Sequence, residues 1–144
     1  MKKIILILFL IFSGCSVKKI LSKDLLYEKS LKHTKRCQII SSLETKAILD
    51  VVYLNPIYKD LKKNTLLIGV YNDFNNTINN VEFNLKINNQ NISPSKKIPP
   101  FVEYKHFPFY NNWMEYYIVT LDQKPPYKIE YISKHWGECN LSVK

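Results

Sequence analysis

The stretch VEFNLKIN, residues 81–88, alternates apolar and polar side chains without a break. Successive side chains of a β-strand point to opposite faces, so a period of two places every second residue on the same face. The pattern therefore predicts a strand with one buried and one solvent-facing side, as in an antiparallel sheet. The predicted buried face consists of Val81, Phe83, Leu85 and Ile87.

Further strands are predicted on both sides of this one, each bounded by turn residues. They follow one another without the helical crossovers that a parallel sheet needs. We therefore expect a mainly β chain folded as an antiparallel β-sandwich. It is immunoglobulin-like only in the loose sense, because the cysteine and tryptophan spacing of a true immunoglobulin domain is absent. The predicted strands are residues 45–54, 65–73, 115–121, 127–133 and 139–143, with residues 37–42 ambiguous and residues 88–100 a long loop.

The predicted strand over residues 45–54, TKAILDVVYL, has its own alternation. A helix is the rival interpretation, but the Val-Val-Tyr run favours a strand. The period of two places Lys46 and Asp50 on the polar face. The opposite, buried face is predicted to carry Ala47, Leu49, Val51 and Tyr53.

The 144-residue chain has the composition of one globular domain, with 46% hydrophobic and 13% aromatic residues. Its formal net charge is +9, and Arg36 is the only arginine among the basic residues. Proteins that read nucleic acids rely on arginine for bidentate contacts, so no nucleic-acid partner is expected. The lysine excess reflects either an AT-rich genome, which we favour, or attraction to anionic lipids and acidic envelope polymers.

The first sixteen residues, MKKIILILFLIFSGCS, have the parts of a secretory signal. Two lysines form a basic head, residues 4–12 are an unbroken apolar run, and Ser13-Gly14 precede Cys15. As a helix the apolar run would span about 14 Å, whereas the hydrocarbon of a bilayer is about 30 Å thick. The run is therefore too short for a transmembrane helix, and a signal peptide is the better interpretation.

Ser13-Gly14-Cys15 resembles the lipobox of bacterial lipoproteins, in which a small residue and then Gly or Ala precede an invariant Cys. The resemblance implies that the Cys15 thiol is lipidated, that the leader is cleaved before it, and that the new amino group is acylated. Because Ser16 rather than Asp follows the cysteine, the resemblance favours the periplasmic side of the outer membrane.

Three regions follow from this interpretation. Residues 1–14 are the lipoprotein signal peptide, residues 15–36 form a lysine-rich lipidated tether, and residues 37–144 form the β-sandwich domain. The tether is either a loose segment or in part a short amphipathic helix, with Glu28 and Lys32 as an ion pair one turn apart. The sequence leaves both forms open.

Cys37 and Cys139 remain once Cys15 is assigned to the anchor. In an oxidising, exported compartment an even pair of cysteines predicts a disulfide. His33 and His135 each stand four residues before one of these cysteines, so the four side chains could instead form a Cys2His2 site for Zn²⁺ or copper. We expect the disulfide and keep the metal site as the alternative.

The stretch FVEYKHFPFYNNW, residues 101–113, is rich in aromatic side chains. In an exposed loop such side chains are good anchors for glycans or protein partners. The other interpretation, which we favour, is that they cover an open end of the sandwich and belong to its core. The candidates for partner binding are Phe101, Tyr104, Phe107, Phe109, Tyr110 and Trp113.

No catalytic or nucleotide-binding motif is present. We therefore expect a non-enzymatic, membrane-anchored envelope lipoprotein that acts as a binding or assembly module, with no cofactor besides the lipid on Cys15. Its expected partners are the membrane, through the lipid, and another envelope protein or polymer. The alternative function is a periplasmic metal-binding lipoprotein that uses His33, Cys37, His135 and Cys139.

Overall fold

A computed structural model describes residues 25–94, 96–98 and 107–144, with the backbone alone for residues 96–98. The predicted signal peptide, the lipidation site Cys15 and the aromatic residues Phe101 and Tyr104 lie outside the described residues. In the part described, a helix over residues 25–33 precedes nine strands. These are β1 (Thr34–Ser41), β2 (Glu44–Tyr53), β3 (Asn64–Asn72), β4 (Phe83–Ile87), β5 (Gln90–Asn91), β6 (Lys96–Ile98), β7 (Glu115–Leu121), β8 (Tyr127–Ser133) and β9 (Gly137–Val143).

The strands form two sheets that pack face to face as a β-sandwich. Within the described ranges, one sheet has five strands in the order β1-β2-β3-β7-β6, and the other has four in the order β5-β4-β8-β9. All of these pairs are antiparallel. The chain passes between the sheets after β3, after β5 and after β7. The predicted mainly β sandwich is confirmed.

The strand predictions are most accurate where the alternation is clear. β7 and β8 have the predicted bounds, and β2 and β3 begin and end within one residue of theirs. The ambiguous residues 37–42 belong mostly to β1, which begins at Thr34, so residues 34–36 of the predicted tether are part of the sheet. The predicted loop over residues 88–100 contains β5 and β6, which are too short to show a side-chain pattern.

The helix over residues 25–33 lies within the segment predicted as the tether, for which the sequence left a loose and a partly helical form open. Lys32 Nζ lies 3.1 Å from Glu28 Oε1, as predicted for this pair. Ser30 lies on the buried face of the helix, and Leu26 packs against a cluster that includes Val52 and Leu67 of the five-stranded sheet. Among the described residues, no helix combines the length and the apolar character that crossing a membrane requires.

The inner core lies between the two sheets and contains the predicted buried face of β4. Phe83, Leu85 and Ile87 are almost fully buried, and the Phe83 ring stacks on Tyr131 with the ring centroids 5.3 Å apart. The prediction was wrong for Val81, which is exposed and lies before the strand. The reason is local, because Asn80 Oδ1 accepts the N–H groups of Glu82 and Phe83 and holds the chain in a turn up to that point.

An outer core covers the other face of the five-stranded sheet. Residues 54–57 and 107–114, together with the helix, pack on this face. The sheet is therefore buried on both faces, whereas an antiparallel sheet often has one face in solvent. The buried residues of the outer core are Val52, Leu54, Ile57, Leu67, Phe107, Phe109, Met114 and Tyr116.

Asp50 corrects the prediction for β2. The sequence placed it on a polar face, but its side chain is fully buried under the outer layer. Arg36 on β1 faces it in the register and donates from Nε to Oδ1 and from Nη2 to Oδ2, both at 2.7 Å. Burial raises the pKa of the Asp50 carboxyl, while the Arg36 hydrogen bonds oppose that rise. Hydrogen bonding to Asp50 raises the pKa of Arg36.

Gly69 lies next to Asp50 in the sheet and lets the outer layer approach the backbone. A Cβ atom at this position would lie 3.1 Å from the Phe109 ring and 3.1 Å from Tyr116. Because glycine has no Cβ, the Phe109 ring packs directly on β3. This contact places Phe109 beside the Arg36–Asp50 pair.

Cys37 on β1 and Cys139 on β9 form the predicted disulfide. The two sulfur atoms lie 2.10 Å apart, and the Cα atoms lie 5.7 Å apart. β1 belongs to the five-stranded sheet and β9 to the four-stranded sheet, each as an edge strand. The bond therefore closes one side of the sandwich covalently.

Replacing both cysteines, Cys37→Ala with Cys139→Ala, should lower the free energy of unfolding by as much as about 4.7 kcal/mol, the chain-entropy value for a loop of about 100 residues. The enclosed segment spans a sequence separation of 102. Urea denaturation of the variant and of the non-reduced wild type would measure the difference. A Cys15→Ala protein is the control, because it keeps the inter-sheet pair. Two titratable thiols in the non-reduced control would contradict the disulfide.

Candidate partner-binding surface

The aromatic stretch before β7 divides into buried and exposed side chains. Phe107 and Phe109 are each only 3% exposed and belong to the outer core. Tyr110 is partly buried and stacks on Tyr116 with the ring centroids 5.5 Å apart. Trp113, in contrast, is 62% exposed. Within the described part of the stretch, packing accounts for the two phenylalanines, and Trp113 is the aromatic side chain directed to solvent.

Trp113 lies at one end of the sandwich together with other exposed apolar residues. This end carries the β1–β2 turn, the loop from β3 to β4, and the segment that enters β7. Asn76 of that loop donates to the Trp113 carbonyl at 3.4 Å, and the Trp113 ring meets Tyr71 edge to face with the centroids 6.3 Å apart. We call the exposed apolar residues at this end the apical surface, which consists of Leu43, Phe74, Val81 and Trp113.

Leu43 is the most exposed large apolar residue of the described chain. It occupies the two-residue β1–β2 turn with Ser42, and both have positive φ, 66° and 52°. Such turns favour Gly, which has no Cβ to clash in the left-handed region, and Asn, whose short polar side chain tolerates that region. The turn therefore holds a leucine where neither burial nor backbone conformation favours one. In the sequence, Leu43 is an apolar residue between two strands, and it was not recognised there as a candidate binding residue.

Asn72 fixes the loop that carries Phe74. Its buried side chain accepts the N–H groups of Phe74, Asn75 and Asn76 on Oδ1, at 3.2, 3.0 and 3.1 Å. Its Nδ2 donates to the Thr77 carbonyl at 3.0 Å and to the Tyr131 hydroxyl at 3.2 Å. The Asn-rich segment is thus a braced turn, and the exposed Phe74 ring stands on an ordered backbone.

A polar group borders the apical surface. Lys46 Nζ lies 3.2 Å from Asp73 Oδ2 and 2.7 Å from Glu44 Oε2, and it stands over the Trp136 ring at 5.2 Å from the centroid. Hydrogen bonds to Glu44 and Asp73 raise the pKa of Lys46. Apolar anchors with a polar border are the usual anatomy of a protein interface.

Glu82, Ser133 and His135 form a second cluster at this end. Glu82 Oε1 accepts the Ser133 hydroxyl at 2.5 Å, and Glu82 Oε2 lies 2.6 Å from His135 Nδ1. The His135 and Trp136 N–H groups donate to Ser133 Oγ at 3.1 and 2.9 Å. A nucleophilic serine is hydrogen-bonded to its histidine base, whereas here both groups bind the carboxylate. The cluster braces the β8–β9 turn, and its members were not recognised in the sequence because Glu82 is 53 residues from His135.

The alternative metal site was predicted to consist of two cysteines and two histidines. Cys37 and Cys139 are bonded to each other, so neither is a thiolate in this oxidised form. His135 contacts Glu82, and His33 ends the helix before β1. Over the described ranges, no group of three or more His, Cys, Asp or Glu side chains is arranged to hold a metal ion.

Comparison with protein-family models, with curated proteins and with solved structures finds no match to this chain. The proposed function therefore rests on the residues of the chain itself. The apical surface is its main feature, since exposed aromatic and aliphatic residues on an ordered backbone lose little conformational freedom on binding.

Phe109→Ala and Trp113→Ala should differ sharply in stability. Phe109 is buried against β3, and loss of a core phenylalanine costs about 3–5 kcal/mol, whereas Trp113→Ala should cost under about 1 kcal/mol. Urea unfolding of both variants would measure the two changes. Equal destabilisation would contradict the division of the stretch into core and surface.

Glu82 is expected to make the stability of the protein depend on pH in the acid range. Hydrogen bonds from Ser133, and then from His135, lower the pKa of Glu82 from 4.5 to about 2. Its stabilising effect is therefore complete above pH 4.5 and disappears as the pH falls toward 2. Glu82→Gln should unfold more readily at neutral pH and lose less stability across this interval, as measured by urea unfolding at a series of pH values.

Ser133→Ala is the matched variant for this measurement. Removal of the hydroxyl should raise the pKa of Glu82 in the folded protein. The loss of stability should therefore still begin near pH 4.5, but it should end at a higher pH and be smaller than in the wild type. An identical acid profile in Glu82→Gln and wild type would show that the cluster does not govern the transition.

Proposed function

We propose that this protein is a lipid-anchored envelope protein whose β-sandwich binds a protein partner through the apical surface. The observation that carries the proposal is the exposure of Leu43, Phe74 and Trp113 at one end of the sandwich, with Phe74 and Trp113 on segments held by side-chain hydrogen bonds. Soluble domains rarely leave large apolar groups together at a surface unless the patch binds something. The proposed role is recognition or assembly rather than catalysis.

The anchor in this proposal is Cys15. The preceding Ser13-Gly14 pair and the short apolar run resemble a lipoprotein signal. Two or three acyl chains hold a protein on a bilayer far more firmly than one, at about 0.8 kcal/mol per buried methylene. The Cys37–Cys139 disulfide supports an exported location, since such bonds persist in oxidising compartments. We place the protein on the periplasmic side of the outer membrane.

The direction of β1 supports a model in which one end of the sandwich faces the membrane anchor and the other end binds the partner. Thr34 at the start of β1 pairs with Val52, and Ser41 at its end pairs with Glu44 beside the apical turn. The chain therefore enters the sheet at the end opposite the apical surface. With the lipid upstream of this entry, the apical turns remain available to a partner.

The partner that suits this surface is another envelope protein with an apolar patch. Tryptophan, phenylalanine and leucine side chains form the buried centres of interfaces, and a few of them supply most of the binding free energy. Trp113 adds an indole N–H that can find an acceptor on the partner.

Lipidation is tested by labelling cells with an alkyne fatty acid and measuring the intact mass of the purified protein. Wild type should carry the label, lack residues 1–14 and be heavier than the unmodified chain. Cys15→Ser should carry no label, and the double variant Cys37→Ser with Cys139→Ser is the control that keeps it. An unmodified thiol at Cys15, or a retained leader, would contradict the anchor.

Partner binding is tested with a polar apical variant, Leu43→Ser with Phe74→Ser and Trp113→Ser. It should keep its label and its unfolding midpoint but leave the high-mass complex that wild type forms in detergent-solubilised membranes. Leu25→Ser with Tyr27→Ser is the control, since both residues are exposed apolar groups on the helix. The surface is not the binding site if both variants remain in the complex, or if both leave it.

A further inference from the structure

A cleft on the outer face of the five-stranded sheet is lined in part by Arg36. It has a volume of about 230 Å³ and lies between the end of the helix, the start of β1 and the outer layer before β7. It is remote from the apical turns, because Thr34 and Arg36 belong to the opposite half of β1. Its lining residues are Leu31, Thr34, Arg36, Asp50, Pro108 and Phe109.

Arg36 is held in place by a partner that solvent does not reach. Asp50 is fully buried and binds Nε and Nη2 of the guanidinium, while the Arg36 side chain remains 48% exposed. Guanidinium has five N–H donors in a planar fork, so this pairing leaves three of them on the edges away from Asp50. Within the described chain, the Arg36 guanidinium makes no other hydrogen bond.

The residue type strengthens this observation. The chain uses lysine at every other basic position, and Arg36 is the only arginine. A lysine could neutralise Asp50 as a point charge, but only arginine can bind one carboxylate through two N–H groups and still offer further donors in the same plane. The arrangement fits an arginine that bridges the buried carboxylate and a second planar acceptor.

The other lining residues of the cleft indicate the size and polarity of the group that carries this acceptor. Leu31, Pro108 and Phe109 provide carbon walls, and Thr34 adds one hydroxyl. Drug-sized ligands occupy pockets of about 300–1,000 Å³, so this smaller cleft suits a compact group. The high positive charge of the chain favours an anion over a neutral group.

We propose that this cleft binds a carboxylate attached to a small apolar group, with Arg36 as its fork and Asp50 as the residue that positions Arg36. The group is either a free short-chain acid or the C-terminal residue of a peptide, since both present the same carboxylate. This site is independent of the apical surface and of the lipid anchor.

The test is a titration of ¹⁵N-labelled mature protein in detergent with 3-methylbutanoate, followed by NMR. Saturable shifts are expected for the Thr34 and Phe109 amides and for the Arg36 Nε–H group. The matched neutral probe, 3-methylbutanamide, should bind at least about tenfold more weakly, because it lacks the charge-assisted pair. Equal binding of acid and amide, or no saturable shift with the acid, would overturn the proposal.

Two variants distinguish recognition by the planar Arg36 guanidinium from attraction by positive charge alone. Arg36→Lys should weaken acid binding at least about tenfold. Lys35→Met, which removes one positive charge on the other face of β1, should leave it unchanged. Because Arg36→Lys also alters the buried pair, Leu31→Glu is the second variant. It adds a repelling charge at a residue that is 48% exposed, and it should abolish binding without unfolding the protein. Loss of binding in Lys35→Met equal to that in Arg36→Lys would overturn the site.

A peptide arm identifies the source of the carboxylate. Gly-Gly-Leu with a free C-terminus and its C-terminal amide are titrated in the same way. Tighter binding of the free peptide than of 3-methylbutanoate assigns the cleft to a peptide C-terminus, and the reverse order assigns it to a free acid. Binding of the amidated peptide as tight as that of the free peptide would contradict carboxylate recognition.

Discussion

The disulfide between the first and last strands is the constraint on which the sandwich depends. Cys37 and Cys139 join edge strands of different sheets, so the two layers cannot separate along that side. The bond also fixes β1, which carries Arg36 and leads out of the helix. The same strand, β1, thus carries the inter-sheet disulfide and Arg36, and it ends at the turn that contains Leu43.

The second constraint is that the five-stranded sheet is covered on both faces. The inner face meets the four-stranded sheet, and the outer face meets the helix and the segment that contains Phe109. The outer layer buries the carboxylate of Asp50, and Arg36 supplies the hydrogen-bond donors that a buried carboxylate needs, in two bonds of 2.7 Å. In the part of the chain that the structure describes, every buried side-chain nitrogen and oxygen has a hydrogen-bond partner.

The sequence pattern predicted those features that depend on neighbouring residues and on the number of cysteines. Strict alternation located β4, the bounds of β7 and β8 were read directly, and two remaining cysteines predicted the inter-sheet bond. The misses came from contacts between distant segments. Nothing near Asp50 reveals that residues 107–114 cover it, and the side chains of Glu82 and His135 meet only after the sheets have formed. Trp113 was among the predicted binding candidates, but Leu43 and Phe74 were not, because an exposed leucine in a turn becomes significant only when it is seen at the same end as Phe74 and Trp113.

Site-specific photo-crosslinking in intact cells tests most directly whether the apical end is a binding surface. A photoreactive amino acid at position 43 probes the β1–β2 turn, and one at position 128 probes an exposed side chain on β8 at the opposite end. Partner binding at the apical surface predicts a discrete protein adduct from position 43 that is absent from position 128 and disappears with Trp113→Ser. No adduct from position 43, or the same adducts from both positions, would contradict it.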